Sequence, residues 1–269
     1  MNDTAAPDHA QLAEMIDFAQ SLADGARAIA LRYHRKEPKN WVKSDHTDVT
    51  EVDLSIEEFI REKITAAYPS HGIYAEELGD SDYSFFKWCI DPIDGTEPFI
   101  FGLPTFGVLI ALTCDLIPIL GIIESPAMQQ RWVGAAGFGT TFQGEPCNTN
   151  AEGVLAQAAV FSTSIDMFTE SEREVFNRVT ANARKRRFGA DCYAYGLLAS
   201  GHIDVVMESD MKPYDMMALV PVVTGAGGVV TDWDGHPINI KSGSRILASS
   251  NERIHEQCLE LIRASANSS

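Results

Sequence analysis

Three groups of carboxylates stand out in the 269-residue chain: Glu76 and Glu77 in YAEELG, Asp91 and Asp94 in CIDPIDGT, and Asp215 in KPYDMMA. The first two groups follow short apolar runs, and the third falls in the first turn of an expected helix. A strand end presents a carboxylate rigidly at the rim of a core. Asp91 and Asp94 are three apart, with Pro92 fixing one dihedral between them, so both can aim at one point. The carbonyl of Ile93 lies between them. Oxygen donors of this kind suit a hard cation such as Mg²⁺, and the lack of accompanying His or Cys disfavours zinc and copper. Gly95-Thr96 follows at once. Gly95 permits close backbone approach, and N–H groups exposed in such a turn bind an anion. Cation carboxylates next to an anion turn are what a phosphate ester needs at an acidic surface. Each feature alone has a plain reading: Asp-Pro and Asp-Gly are turn dipeptides, Glu76-Glu77 a solvated pair, Asp215 a charge balancing a helix dipole. Their conjunction points to a site.

Covalent phosphatase routes lack their residues. No cysteine has an arginine six positions later, no acids stand in a DxDx[TV] pattern, and no GxxxxGK[ST] loop occurs. These absences favour metal-activated water over a covalent intermediate.

Helical spacing of apolar residues runs from about 8 to 35, and again from an entry near Thr50 to Asp53 up to Pro69. GIYA (72–75) and FFKWCI (85–90) read as buried strands, and 105–150 as a mostly antiparallel sheet with a turn at Cys114-Asp115. Beyond 150, AAVFSTS and IDVVME read as strands, and SEREVFNRV and CYAYGLLASG as helices. PYDMMALVPVVTGAGG is expected to form one helix with Pro213 in its first turn, and a last helix starts near 252. The pattern predicts a layered α+β fold over 1–269 as one catalytic unit, with halves 1–150 and 151–269.

The chain is 45% hydrophobic, with net charge −17 and pI about 4.7, which argues against nucleic-acid or anionic-membrane partners. No apolar run approaches the ~18 residues of a membrane span. Five cysteines without CxxC or zinc spacing read as reduced thiols in a cytoplasmic protein. MNDTAAPDHAQ has neither basic residues nor an apolar core, so no signal peptide is expected.

At these residues the chain resembles the inositol monophosphatase-like family of lithium-sensitive, magnesium-dependent phosphatases. The segments that carry the resemblance are KSDHTDVTEVD, HGIYAEELGD, WCIDPIDGTEPFIFGLP and KPYDMMALVPVVTGAGGVVTDWDG, in the family's order, over roughly residues 10 to 263. The resemblance implies an αβαβα layered fold, usually dimeric, and two or three Mg²⁺ ions. It places metal ligands at Glu76, Asp91, the Ile93 carbonyl, Asp94 and Asp215, and the phosphate turn at Gly95 and Thr96. Glu76 and Thr96 are implied to position the attacking water, with Asp53 supporting Thr96 through a hydrogen bond.

Within that family, RRFGADCYAYGLLASGHIDVVMESDMKPYD resembles the histidinol-phosphate phosphatase branch, through Asp191, the CYAY run and Tyr214. The implied reaction is hydrolysis of L-histidinol phosphate, with Asp191 and Glu208 facing the substrate. Asp191 also reads as the cap of the helix that follows, and Glu208 as a solvated strand end. The nearest rival is an inositol monophosphatase with broad sugar-phosphate activity; a cation-binding regulatory protein without turnover is the other. Glu97, Pro98 and Phe106 depart from the usual pattern. The run Arg184 to Arg187 reads as a solvated turn or as a source of an active-site arginine.

Overall fold

The computed structural model describes residues 5–36, 39–42, 48–81 and 83–266. The start of the KSDHTDVTEVD segment, residues 43–47, lies outside them. The helices are α1 His9–Tyr33, α2 Glu51–Ala67, α3 Thr96–Ile100, α4 Glu170–Ala181, α5 Tyr193–Ala199, α6 Pro213–Met216, α7 Leu219–Gly225 and α8 Glu252–Ala266. The strands are β1 Asn40–Val42, β2 Asp48–Thr50, β3 Gly72–Ala75, β4 Gly79–Asp80, β5 Phe86–Asp94, β6 Gly107–Cys114, β7 Ile117–Ser125, β8 Gln130–Ala135, β9 Gly139–Phe142, β10 Glu145–Pro146, β11 Ala159–Ser162, β12 Lys185–Phe188, β13 Val205–Glu208, β14 Val229–Thr231 and β15 Ile246–Ser249.

An eight-stranded sheet runs β10-β9-β8-β7-β6-β5-β3-β4, and a five-stranded sheet runs β12-β11-β13-β15-β14. The two-residue period of a strand decides what each face touches. Val108, Ile110 and Leu112 of β6 pack with Met15, Leu22, Ile56 and Ile60 of α1 and α2. Their neighbours Leu109 and Ala111 turn the other way, onto Leu198 of α5 and Val222 of α7. Val206, Ile246 and Ala248 of the second sheet close that middle layer. Val205, Met207 and Leu247 face outward onto Phe176 of α4 and Ile254 of α8. The expected αβαβα layering follows directly. Both faces of each sheet are covered, so these strands read as apolar runs rather than as alternating ones.

Two elements differ from expectation. The helix foreseen from Pro213 onward is two helices, broken at Met217–Ala218. Pro221 has no N–H to give the carbonyl four residues back, that of Met217, so the helical ladder is interrupted there. The DPID stretch is not a turn but the end of β5, with a register shift between Asp91 and Asp94.

Gly121 of β7 pairs with Gly134 of β8, and together they form the groove on which α7 lies. A Cβ on Gly121 would stand 2.0 Å from the Ala218 carbonyl oxygen, and one on Gly134 2.3 Å from that of Pro221. Backbone cannot yield as a side-chain tip does, so Gly121→Ala is expected to cost about 3 kcal/mol. Urea unfolding of the variant beside the parent checks this.

In the outer layer His255 is buried, with its ring nitrogens at 2.9 Å from Thr231 Oγ1 and 3.1 Å from Ser249 Oγ. Burial lowers its pKa to about 4. The unfolded chain therefore binds this proton more readily than the folded one. The contribution of neutral His255 is complete above its unfolded value near 6.5 and is lost as pH falls toward 4. It amounts to ~3 kcal/mol over that window. Unfolding curves at pH 7, 5.5 and 4.5 should show the loss, and His255→Gln should flatten it.

Among the described residues no helix is long and apolar enough to cross a membrane. All five cysteines are free thiols.

Candidate active site

The acids converge because of two pairing details. β3 and β5 are parallel with Ala75 opposite Ile90, so the next residues, Glu76 just past β3 and Asp91 still on β5, come side by side. On β5 a regular strand would send residues three apart to opposite faces. Asp91 pairs with Leu109 but Asp94 with Gly107, so three steps on β5 answer two on β6. This one-residue bulge restores the parity and turns both carboxylates to one side. Asp215 joins them from the first turn of α6, its Oδ2 accepting the Lys212 backbone N–H at 2.6 Å. Carboxylate oxygens of Asp91, Asp94 and Asp215 all lie within 4.8 Å of one another.

The anion turn sits directly above. Gly95 has φ of 82°, in the left-handed region, and stands at the N-cap of α3. Thr96 Oγ1 donates to the Ile93 carbonyl at 3.2 Å. Asp53, fully buried, caps α2 through one oxygen: its Oδ2 accepts the backbone N–H of Thr50 at 2.9 Å and the Thr50 hydroxyl at 2.5 Å. Its Oδ1 has no hydrogen-bond partner. The expected bond between Thr96 and Asp53 is thus not formed in this arrangement, because the Ile93 carbonyl takes the threonine hydroxyl.

Asp91, Ile93, Asp94, Gly95, Thr96 and Asp215 line a cavity of about 360 Å³; Asp53 is not among the lining residues. The cavity's acids are Asp48, Glu76, Asp91, Asp94, Glu97, Asp191, Glu208 and Asp215, and among the described residues no Lys, Arg or His lines it. Burial and the neighbouring acids disfavour the charged form of Asp91 and Asp191. Burial raises Asp91 well above the usual carboxylate range, and Glu76, Asp94 and Asp215 push the same way. Burial likewise raises Asp215, and brings Asp53 to about 6. Asp91 Oδ1 is buried without a partner. An orphaned carboxylate oxygen among convergent acids, with no histidine lining the cavity among the described residues, fits a hard divalent cation.

Asp191 does not cap α5. Its side chain leaves the helix end, and Cys192 occupies the cap position without a side-chain bond. Asp191 holds φ of 46°, a left-handed conformation that Asp tolerates better than most residues. The following N–H, that of Cys192, donates to Asp94 Oδ2 at 2.7 Å. The Asp191 carboxyl stands over Gly95, with its Cγ 3.1 Å from where a Gly95 Cβ would lie, and its Oδ2 is buried without a partner. Burial, then Asp94, Glu208 and Glu97, raise its pKa to about 8. Glu208 is not a solvated strand end. It is 1% exposed, accepting the Thr163 N–H at 2.7 Å and the Tyr195 hydroxyl at 2.7 Å.

Sequence reasoning missed Asp48, Thr163, Met167, Tyr195 and Met211 as cavity residues. Tyr195 had a signal in the CYAY run, and Asp48 and Met211 lie in the segments KSDHTDVTEVD and MESDMKPYD. Glu97 is exposed at the cavity and Pro98 lines it. Phe106 is core, edge-on to Phe99 at 4.9 Å. Lys185 to Arg187 form an exposed edge strand, β12, and neither they nor Arg184 line the cavity.

The model of the inositol monophosphatase family matches residues 11–267. The bifunctional phosphatase IMPL2 of Arabidopsis thaliana is 40% identical over 250 residues, covering 89% of this chain and 72% of that protein. A histidinol-phosphatase of Chlorobaculum parvum is 34% identical over 245 residues, covering 88% and 92%. A solved inositol monophosphatase from Zymomonas mobilis superposes with a TM-score of 0.86 at 38% identity, covering 93% of this chain and 98% of its own. A bulged strand that gathers buried acids beside a glycine turn is thus found in a chain that belongs to the inositol monophosphatase family, whose members are metal-dependent phosphomonoester hydrolases.

Proposed function

We propose that the chain hydrolyses L-histidinol phosphate to histidinol and inorganic phosphate. The observation that carries this reading is Asp191: a buried carboxyl with an unpartnered oxygen, in a cavity whose described lining residues include eight acids and no basic residue. A cavity so charged favours a phosphate ester whose organic half brings a protonated amine. An ammonium beside Asp191 satisfies the orphaned oxygen and restores its charged form. The histidinol-phosphatase of Chlorobaculum parvum at 34% identity supports the same substrate.

Glu76, Asp91, the Ile93 carbonyl, Asp94 and Asp215 would hold Mg²⁺, two or three ions in all. When bound, Mg²⁺ neutralises phosphate oxygens and lowers the pKa of water toward neutrality. The chain's own groups do the rest. The N–H groups at Gly95 and Thr96 cradle the phosphate, and Glu76 and Thr96 orient the attacking water. Asp191 places the amine end of the ester, so that phosphorus lies in line with that water. Glu208 fixes Tyr195 and Thr163 around the organic half.

The test is phosphate release from histidinol phosphate, stopped by EDTA and restored by Mg²⁺. Release from inositol 1-phosphate but not from histidinol phosphate would overturn the substrate. Cation binding without release from either would support a regulatory protein instead.

A further inference from the structure

Glu57 lies one helical turn after Asp53 on α2, and both are fully buried. Its carboxylate is spent on one short loop. Oε2 accepts the Glu77 backbone N–H at 2.8 Å, and Oε1 accepts that of Leu78 at 2.9 Å. Oε1 also accepts Arg61 Nε at 2.8 Å, and Arg61 in turn donates to the Gly79 carbonyl. The loop so held is the tight connection between β3 and β4. Ala75 pairs with Gly79, which leaves only Glu76, Glu77 and Leu78 between them. Gly79 has φ of 78°, the left-handed residue that such a three-residue hairpin requires.

We propose that Glu57 is a positioning residue for the candidate cation site, setting the place of Glu76 by holding the next two backbone N–H groups. The inference rests on the reading of Glu76 as a cation ligand. N–H groups in a three-residue loop ordinarily face water. Here a buried carboxylate takes two of them in charge-assisted bonds, which are about twice as strong as neutral ones. Glu76 is therefore pinned on both sides, by the β3 ladder at Ala75 and by Glu57 at Glu77. Mg²⁺ requires near-ideal octahedral geometry, so a ligand on a loosened loop binds it poorly. Groups that orient metal ligands typically change affinity 10- to 100-fold when removed.

Glu57→Gln tests this. The amide has one acceptor oxygen for three donors and turns an NH₂ toward the others. Mn²⁺ binding to the full chain, followed by the loss of the free-ion electron paramagnetic resonance signal, is the direct readout. We expect affinity to fall about tenfold. The Mg²⁺ concentration for half-maximal rate should rise by a similar factor, while KM for the phosphate ester at saturating Mg²⁺ stays within about threefold. Glu76→Gln runs alongside. Unchanged Mn²⁺ binding in Glu76→Gln would remove Glu76 from the ligand set. Weakened binding in Glu76→Gln beside native binding in folded Glu57→Gln would overturn the role of Glu57 alone. Should Glu57→Gln fail to fold, Arg61→Met releases Gly79 and one side of Glu57. It is expected to weaken Mn²⁺ binding about threefold, and native affinity in that variant would equally refute the proposal.

Discussion

Asp91→Asn is expected to lower kcat/KM for phosphate release by about 10³-fold or more, ~4 kcal/mol in the transition state. The same change should raise the thermal midpoint of the protein in EDTA. The two effects have one cause. Asp91 is buried among Glu76, Asp94 and Asp215, and its Oδ1 is orphaned. Without a cation this arrangement costs stability, because like charges crowd a site that burial has stripped of water. An amide of the same shape removes that cost and removes the charge a cation needs. Phosphate-release assays and thermal scans in EDTA read both arms. Activity within tenfold of the parent, or a lowered midpoint, would take Asp91 out of the site's chemistry and leave it a structural acid.

Asp191→Asn should separate substrates. It keeps a side chain that tolerates φ of 46° and removes the charge. On histidinol phosphate kcat/KM is expected to fall about 100-fold, roughly 2.7 kcal/mol. On inositol 1-phosphate it should change less than about threefold. Asp191→Ala adds a backbone penalty of ~1 kcal/mol for the left-handed conformation. That penalty loosens the Cys192 N–H from Asp94, so Asp191→Ala should lose rate on both substrates. Asp191→Gly, free of the penalty, should behave like Asp191→Asn. Equal losses on both esters in Asp191→Asn would mean that the carboxyl serves both substrates alike and does not select the amine.

The layered fold was legible because its period changes are strong. GIYA matches β3 from end to end, and the antiparallel stretch past residue 105 follows the strand runs and the turn at Cys114-Asp115. The acids were legible as types and spacing, but the reason they converge was not. The bulge depends on how β6 pairs with β5, which no local spacing reports. The break in the helix after Pro213 was readable in principle, since Pro221 lies inside the expected run. Asp191 illustrates a different limit. Its position before a helix argues for a cap, and only the contacts of Asp191 and Cys192 with Gly95 and Asp94 at the end of β5 turn the carboxyl into the cavity instead.

Glu57 is the most instructive omission. In SIEEF it stands beside Glu58, and the two look alike as a solvated pair. Yet helical spacing puts Glu57 on the face of Asp53, Ile56, Ile60 and Ile64, all buried, while Glu58 is exposed. An acid on an apolar helical face needs partners. That spacing announces a buried carboxylate, though its partners, the loop N–H groups some twenty residues away, emerge only in the folded chain.

The most direct test is kcat/KM for histidinol phosphate and inositol 1-phosphate, measured side by side on the unaltered enzyme at saturating Mg²⁺. A preference of ~100-fold or more for histidinol phosphate, roughly 2.7 kcal/mol, is the predicted result. Equal values, or a preference for the inositol ester, would contradict selection by Asp191 and leave the acids around Asp91 as a site without the proposed substrate.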